Sequence, residues 1–252
     1  AGDSFGRSVS LSSDGTIVAI GAPYNNGNGD YAGHVRVYEY SGGAWSKLGS
    51  DIDGEAASDQ SGFYVSLSAD GTIVAIGARY NAGTGSNAGH VRVYKYSGSI
   101  WTKLGDDIDA ENAGDESGVS VSLSTDGSIV AIGAITNNGN GNNSGHVRVY
   151  KYSGGAWSQL GSDIDDEAVD DQSGGSVSLS SDGTIVAIGA YFNDGNGSNS
   201  GHVRVYEYNG SAWSKLGNDI DGEAVDDYSG YSVSISSDGT IVAIGAMNND
   251  AN

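Results

Sequence analysis

Apolar and polar positions fall into short runs that return every 56 residues along the chain. The clearest is residues 17–20, Ile-Val-Ala-Ile, framed by Gly15 and Gly21, and it recurs from Ile73, Ile129, Ile185 and Ile241. A short, β-branched, uninterrupted run between glycines predicts a strand buried on both faces. Each copy is entered through an Asp-Gly pair, at Asp14, Asp70, Asp126, Asp182 and Asp238, a dipeptide suited to a hairpin turn. Ahead of it, residues 8–12 alternate strictly, with Val9 and Leu11 on one face and serines on the other. Beyond a loop rich in Asn and Gly, residues 34–40 predict a third strand. Ser41-Gly42-Gly43 then turns the chain, and residues 44–48 form a fourth strand carrying Trp45.

Four antiparallel strands in 56 residues is the size of one propeller blade. The expected fold is all-β: tandem four-stranded antiparallel units of β-propeller type, with an open β-repeat array as the alternative. Units 1–56, 57–112, 113–168 and 169–224 are complete, and 225–252 holds only the first two strands, which makes eighteen. No change of composition marks an internal boundary, so residues 1–252 are read as one array. Because the two ends fall at mid-repeat positions, the reading expects a piece of a longer array, or an incomplete blade whose edge another chain covers.

Composition narrows the function. Glycine at 42 residues with a single proline, and no long helix-forming runs, excludes a helical array. The formal charge is -21, from 32 acidic and 11 basic residues, which argues against nucleic acid because such partners need a basic footprint. An acidic surface fits a salty or calcium-containing medium, and equally serves solubility. Cysteine is absent, so disulfides and thiolate metal sites are excluded. No apolar run is long enough to insert in a membrane, and no signal peptide is seen.

Phe5-Gly6, then Gly21-Ala22-Pro23, then Gly33-His34-Val35-Arg36-Val37-Tyr38 together resemble the FG-GAP repeat of integrin α-subunit propellers and related microbial surface proteins. The full signature stands only in the first unit; later units read Ser61-Gly62 with Gly77-Ala78-Arg79, Ser117-Gly118 with Gly133-Ala134-Ile135, and Ser173-Gly174 with Gly189-Ala190-Tyr191. The resemblance implies an extracellular or cell-surface protein. Members often carry an Asp-rich calcium loop between strands one and two. Here that place holds the tight turn Ser13-Asp14-Gly15, too short to wrap an ion, so those calcium sites are not carried over.

Several residues are candidates for chemistry. His34, His90, His146 and His202 occupy one equivalent position, with no converging partners visible, and read as structural. Arg36, Arg92, Arg148 and Arg204 lie mid-strand and need acceptors, for which Asp51, Asp107, Asp163 and Asp219 are the natural choice. Trp45, Trp101, Trp157 and Trp213 sit on the fourth strand and read as packing residues. Asn26, Asn28 and Asp30 alternate with glycines at the spacing of an oxygen-donor loop, and Asn138, Asn140, Asn142 and Asp194, Asn196, Ser198 repeat it. Calcium is the one cofactor such loops could take, weakly, because most donors are neutral; the competing reading is an Asn-Gly turn. The linkers carry a second acidic series, Asp51, Asp53, Glu55 and Asp59, which recurs in every unit and includes Glu167 in the third. A solvated or arginine-paired rim competes there with cation binding.

No nucleophile elbow, paired catalytic carboxylates or phosphate loop is evident, and the sequence reading is therefore not an enzyme. It expects a non-catalytic extracellular binding or adhesion scaffold. The ligand face would lie on the strand two-to-three loops, with Tyr24, Tyr80 and Phe192, and on the acidic linkers. The expected partner is a protein or glycan at a surface, or copies of the chain itself, with no nucleic acid and no membrane insertion. The alternatives are a structural repeat protein building a filament or coat, and a carbohydrate-binding, lectin-like propeller.

Overall fold

The computed structural model describes residues 2–166 and 168–250, so Glu167 of the third acidic linker lies outside the described residues. The first unit folds as β1 (Ser8–Leu11), β2 (Ile17–Ala22), β3 (His34–Ser41), β4 (Ala44–Lys47) and β5 (Ile52–Asp53). The second gives β6 (Tyr64–Leu67), β7 (Ile73–Ala78), β8 (His90–Ser97), β9 (Ile100–Lys103) and β10 (Ile108–Asp109). The third gives β11 (Ser120–Leu123), β12 (Ile129–Ala134), β13 (His146–Ser153), β14 (Ala156–Gln159) and β15 (Ile164–Asp165). The fourth gives β16 (Ser176–Leu179), β17 (Ile185–Ala190), β18 (His202–Tyr208), β19 (Trp213–Lys215) and β20 (Ile220–Asp221), and a half-blade follows with β21 (Ser229–Ile235) and β22 (Val242–Ala246). All pairing within these sheets is antiparallel, and no helix occurs among the described residues.

The all-β repeat architecture is as the periodicity predicts, but each complete blade has five strands where four were expected. The acidic linker supplies the fifth: Ile52 pairs with Val35 and Asp53 with His34 at the start of β3. Two residues are too short to show alternation. Only the burial of Ile52 reveals that the linker returns to the core.

The core lies between blades. Ala19, Val35, Val37 and Ile52 of the first blade pack against Val65, Leu67, Val74 and Ile76 of the second, and the same arrangement recurs at the next two seams. β7 and β12 are buried on both faces because Val74 and Ile76 face the preceding blade while Ile73 and Ala75 face the following one. Glycine is required where sheets touch: a Cβ on Gly77 would meet the Gly118 carbonyl of the next blade.

The first strands of all five units surround one axis. The serines of their second face, read from the sequence as merely polar, bind neighbouring blades: Ser10 Oγ accepts the Leu67 amide at 2.9 Å, and Ser66 Oγ accepts that of Leu123 at 3.0 Å. At the Asp-Gly end, backbone bonds step round the axis from Ser13 N–H to Ala69 O, Ala69 to Thr125, Thr125 to Ser181 and Ser181 to Ser237, each at 2.8–2.9 Å.

Candidate functional site

The opposite end of the axis is open. A cavity of about 400 Å³ lies there, lined by Arg7, Phe63, Tyr64, Arg79, Val119, Ile135, Tyr191 and Tyr231. These residues are where the units disagree. Ile-Val-Ala-Ile-Gly-Ala is identical in all five, yet the next residue is Pro23, Arg79, Ile135, Tyr191 or Met247. The residue before the first strand is Arg7, Phe63, Val119 or Gly175, with Tyr231 at the equivalent place inside β21, and three positions earlier stand Ser4, Gln60, Glu116, Gln172 and Tyr228. Those last five all have left-handed backbone, with φ between 53° and 56°, and turn the chain into its axial strand. The first two sets of positions thus supply most of the lining of the hollow, and Glu116 of the third set reaches it through Arg79, 3.9 Å away.

The hollow is cationic and aromatic inside an acidic protein. Of six arginines, four recur at the position of Arg36; the other two, Arg7 and Arg79, both line this cavity. Both guanidinium groups lie over the Phe63 ring, at 4.5 and 3.9 Å from its centre. Arg79 Nε donates to Gln60 Oε1 at 3.2 Å, and its Nη1 lies 3.9 Å from Glu116 Oε2. Burial pushes the Glu116 carboxyl above its ordinary pKa, and Arg79 only partly opposes this. Burial likewise raises the Tyr191 phenol, helped by Tyr231 and Glu116. The Tyr191 hydroxyl donates to Gln172 Oε1 at 2.9 Å. A carboxyl with enhanced basicity, an adjacent guanidinium and neutral amide and phenol groups can together hold a polar anion and move a proton.

Of the sequence candidates, Tyr80 and Phe192 adjoin this cup. Arg79 lies 4.3 Å from the Tyr80 ring, and Phe192 meets Tyr191 at a tilt at 4.7 Å and Tyr228 edge-on at 5.5 Å. Tyr24 meets Tyr31 edge-on at 5.7 Å. The donor loops are tied to the next linker. Asn28 Nδ2 donates to Gly54 O, Asn140 to Asp166 O and Asn196 to Gly222 O. Asn26, Asn138 and Asp194 cap backbone amides of Tyr31, Asn143 and Asn199. The loop backbone also serves, since Asp30 O and Ser198 O accept the Ser58 and Asp226 amides. Asn142 Nδ2 stands 3.5 Å from Asp170.

The four histidines are buried at the head of the third strand of each blade and gather carboxylates: His34 with Asp51 and Asp53, His90 with Glu55 and Asp107, His146 with Glu111 and Asp163, His202 with Asp219 and Asp221. Their donor atoms are close enough for a cation, but cationic side chains reach the same carboxylates. Arg36 and Lys47 bind Asp51 at 2.9 and 2.8 Å, Arg92 bridges Glu55 and Asp107, and Arg204 binds Asp166 and Asp219 at 2.7 and 2.9 Å. Arg148 donates to Asp109 O at 2.9 Å and lies 3.6 Å from Glu111. From the second blade on, the arginine ties its own blade to the linker before it. Arg36 and Arg204 hold Asp51 and Asp219 at pKa values of about 2, while burial lowers His146 to about 4. The tryptophan indoles seal the outside: Trp101, Trp157 and Trp213 donate to Leu48, Leu104 and Leu160 carbonyls of the preceding blade at 2.7–2.8 Å, and Trp45 is left 48% exposed.

Blades of this kind around an axial cup define a propeller-type all-β repeat protein. The FG-GAP repeat profile matches residues 1–38 and 164–206. No curated protein sequence matches it. Among solved structures it is similar to the hydrazine synthase of Kuenenia stuttgartiensis (TM-score 0.57, 13% identity, 96% of this chain and 71% of that one). A 6-phosphogluconolactonase-like protein of Bacteroides uniformis aligns with TM-score 0.51 and 11% identity over 95% of this chain and 77% of its own. The periplasmic gluconolactonase of Pseudomonas aeruginosa gives 0.59 and 16% over 94% and 64%. Identities this low establish the fold alone. They nevertheless correct the expectation of a non-catalytic adhesion scaffold that is no enzyme, because these three similar structures are named as a synthase and lactonases. That expectation treated a missing nucleophile motif as a missing active site, whereas a propeller site is assembled from several blades and leaves no local motif.

Proposed function

We propose that the axial cup is an active site for hydrolysis of a small anionic ester, of which a sugar-acid lactone is the best-fitting class. The observation that carries this reading is the Arg79–Glu116 pair, a cation beside a carboxyl of raised pKa, at positions where the repeats otherwise diverge. The lactonase names of two fold neighbours agree with it. In this reading Arg7 receives the substrate's anionic group, and Gln60, Gln172 and the tyrosines meet its hydroxyls. Glu116 takes a proton from water as the water oxygen bonds to the carbonyl carbon. Arg79 stabilises the oxyanion that forms. Collapse then breaks the ring C–O bond, and the departing alkoxide takes the proton held by Glu116, leaving the open-chain acid.

The test is acid release from glucono-lactone and its 6-phosphate, followed at constant pH against the spontaneous rate. A rate above background that falls at least ~100-fold in Glu116→Gln supports the assignment, that being the lower range for a lost acid–base group. A wild-type rate equal to background overturns it.

A further inference from the structure

We infer that the seam between the second and third blades is a binding site for one divalent transition-metal ion of the zinc class, held by His146, Asp163, Asp165 and Glu111. The four histidine clusters repeat in composition but not in charge. Asp51, Asp107 and Asp219 each meet a lysine as well as an arginine: Lys47 at 2.8 Å, Lys103 at 2.6 Å and Lys215 at 2.7 Å, beside Arg36, Arg92 and Arg204. In the third blade Gln159 stands in place of the lysine, and its neutral Nε2 donates to Asp163 Oδ1 at 2.6 Å. Arg148 turns to Glu111 and to the Asp109 carbonyl. Among the described residues, no lysine or arginine pairs with Asp163.

The histidine supplies a second, independent observation. His146 is 1% exposed, and its Nε2 has no hydrogen-bond partner. Its Nδ1 faces Asp163 Oδ2 and Asp165 Oδ1, each at 3.8 Å, too far for a hydrogen bond. Two donors on one zinc ion stand up to ~4.3 Å apart, so a cation between these atoms needs only small movements. Glu111 brings a carboxylate oxygen to the same place from the linker that follows the second blade. One imidazole nitrogen among carboxylate oxygens suits zinc, whereas calcium takes oxygen alone. Glu111 and Asp165 are exposed and give the ion a path from solvent. The ion does for this seam what arginine does at its neighbours. Arg92 joins Glu55 of the preceding linker to Asp107, and Arg204 joins Asp166 to Asp219. Arg148 reaches only the linker side, and the cation completes the tie from Glu111 to Asp163.

The test is zinc binding to the chelator-treated full chain, measured by equilibrium dialysis and by the visible absorption of cobalt(II) at the same site. One ion per chain is expected, and the melting temperature should rise with zinc because only the folded chain assembles the donors. Gln159→Lys installs the lysine that the other three blades carry, so the fold accepts it, and it should abolish binding. Asp163→Asn, which keeps the shape of the side chain, should do the same. No bound zinc in the wild type overturns the inference. So does binding that survives in both variants, because that result assigns the ion to the exposed acidic rim. Displacement of zinc by an equal concentration of calcium overturns the class of ion. The cup takes no part in this site, so the outcome is separate from that of the lactone assay.

Discussion

Arg79 Nη1 and Glu116 Oε2 face each other at 3.9 Å although they come from different positions of consecutive units. An array of near-identical blades would give an axial cup of repeated side chains. Asymmetry arises only through substitution, and here it juxtaposes opposite charges beside Tyr191. The raised pKa of Glu116 means that the folded state binds its proton more tightly than the unfolded state does. Its contribution to stability is therefore present at low pH and is lost as pH rises through the folded pKa. Glu116→Gln should accordingly lose activity yet melt higher than the wild type at pH 7. That difference should vanish in acid, as differential scanning calorimetry at two pH values will show.

Acid sensitivity should come in two stages. His146 is held at about 4, below its ordinary 6.5, so stability is full above pH 6.5 and declines as pH falls toward 4. Asp51 and Asp219 are held near 2 against 3.8, so their contribution is complete above pH 3.8 and declines as pH falls through 2. The Asp219 share is ~2 kcal/mol at most, since each tenfold change in proton affinity is worth about 1.4 kcal/mol. Denaturant titrations from pH 7 to 2 should show both stages. Asp219→Asn should flatten only the lower one.

How much of this was legible in the chain depended on what the repeat held constant. Residues 17–20 and their copies announced buried strands because the run is apolar, β-branched and strictly periodic. The fifth strand was hidden because Ile52 and Asp53 form a pair too short for any period. The cup was hidden for the opposite reason. Arg7, Arg79, Glu116 and Tyr191 match nothing in neighbouring units, and attention to shared positions passes over them. Aligning the units and marking the columns that vary would have found them. What no alignment supplies is that two of these columns line one axial cavity and that Glu116 of the third meets Arg79, which depends on the twist and packing of whole blades.

The tryptophans should separate into two populations. Trp101, Trp157 and Trp213 each bond a carbonyl of the blade before, whereas Trp45 is 48% exposed. Iodide should quench about one quarter of the emission readily, and Trp45→Phe should remove that fraction. Trp157→Phe should leave it and cost ~1 kcal/mol for the lost hydrogen bond.

The seam glycines should be the least replaceable residues of the scaffold. Gly133 has ordinary backbone angles, so a side chain there is opposed by space alone: its Cβ would run into the Gly174 carbonyl of the fourth blade and Ser120 Oγ of its own. Neither can yield cheaply, because Gly174 N–H is bound to Gly133 O at 3.1 Å and Ser120 Oγ donates to Gly174 O at 2.6 Å. Gly133→Ala should therefore cost ~3 kcal/mol, the upper end for an overpacked site. Gly154, in the exposed turn between β13 and β14, provides the contrast. It has φ 62° and open space around its Cβ, so Gly154→Ala should cost only the backbone strain, ~1 kcal/mol. In a repeat array stability is the sum of unit and neighbour-interface terms, so a wedge at one seam also weakens the coupling across it. Calorimetry of Gly133→Ala should show the single wild-type transition split in two, as blades on either side of the seam melt separately. An unchanged single transition would mean that the third and fourth blades are not held together by this close backbone approach.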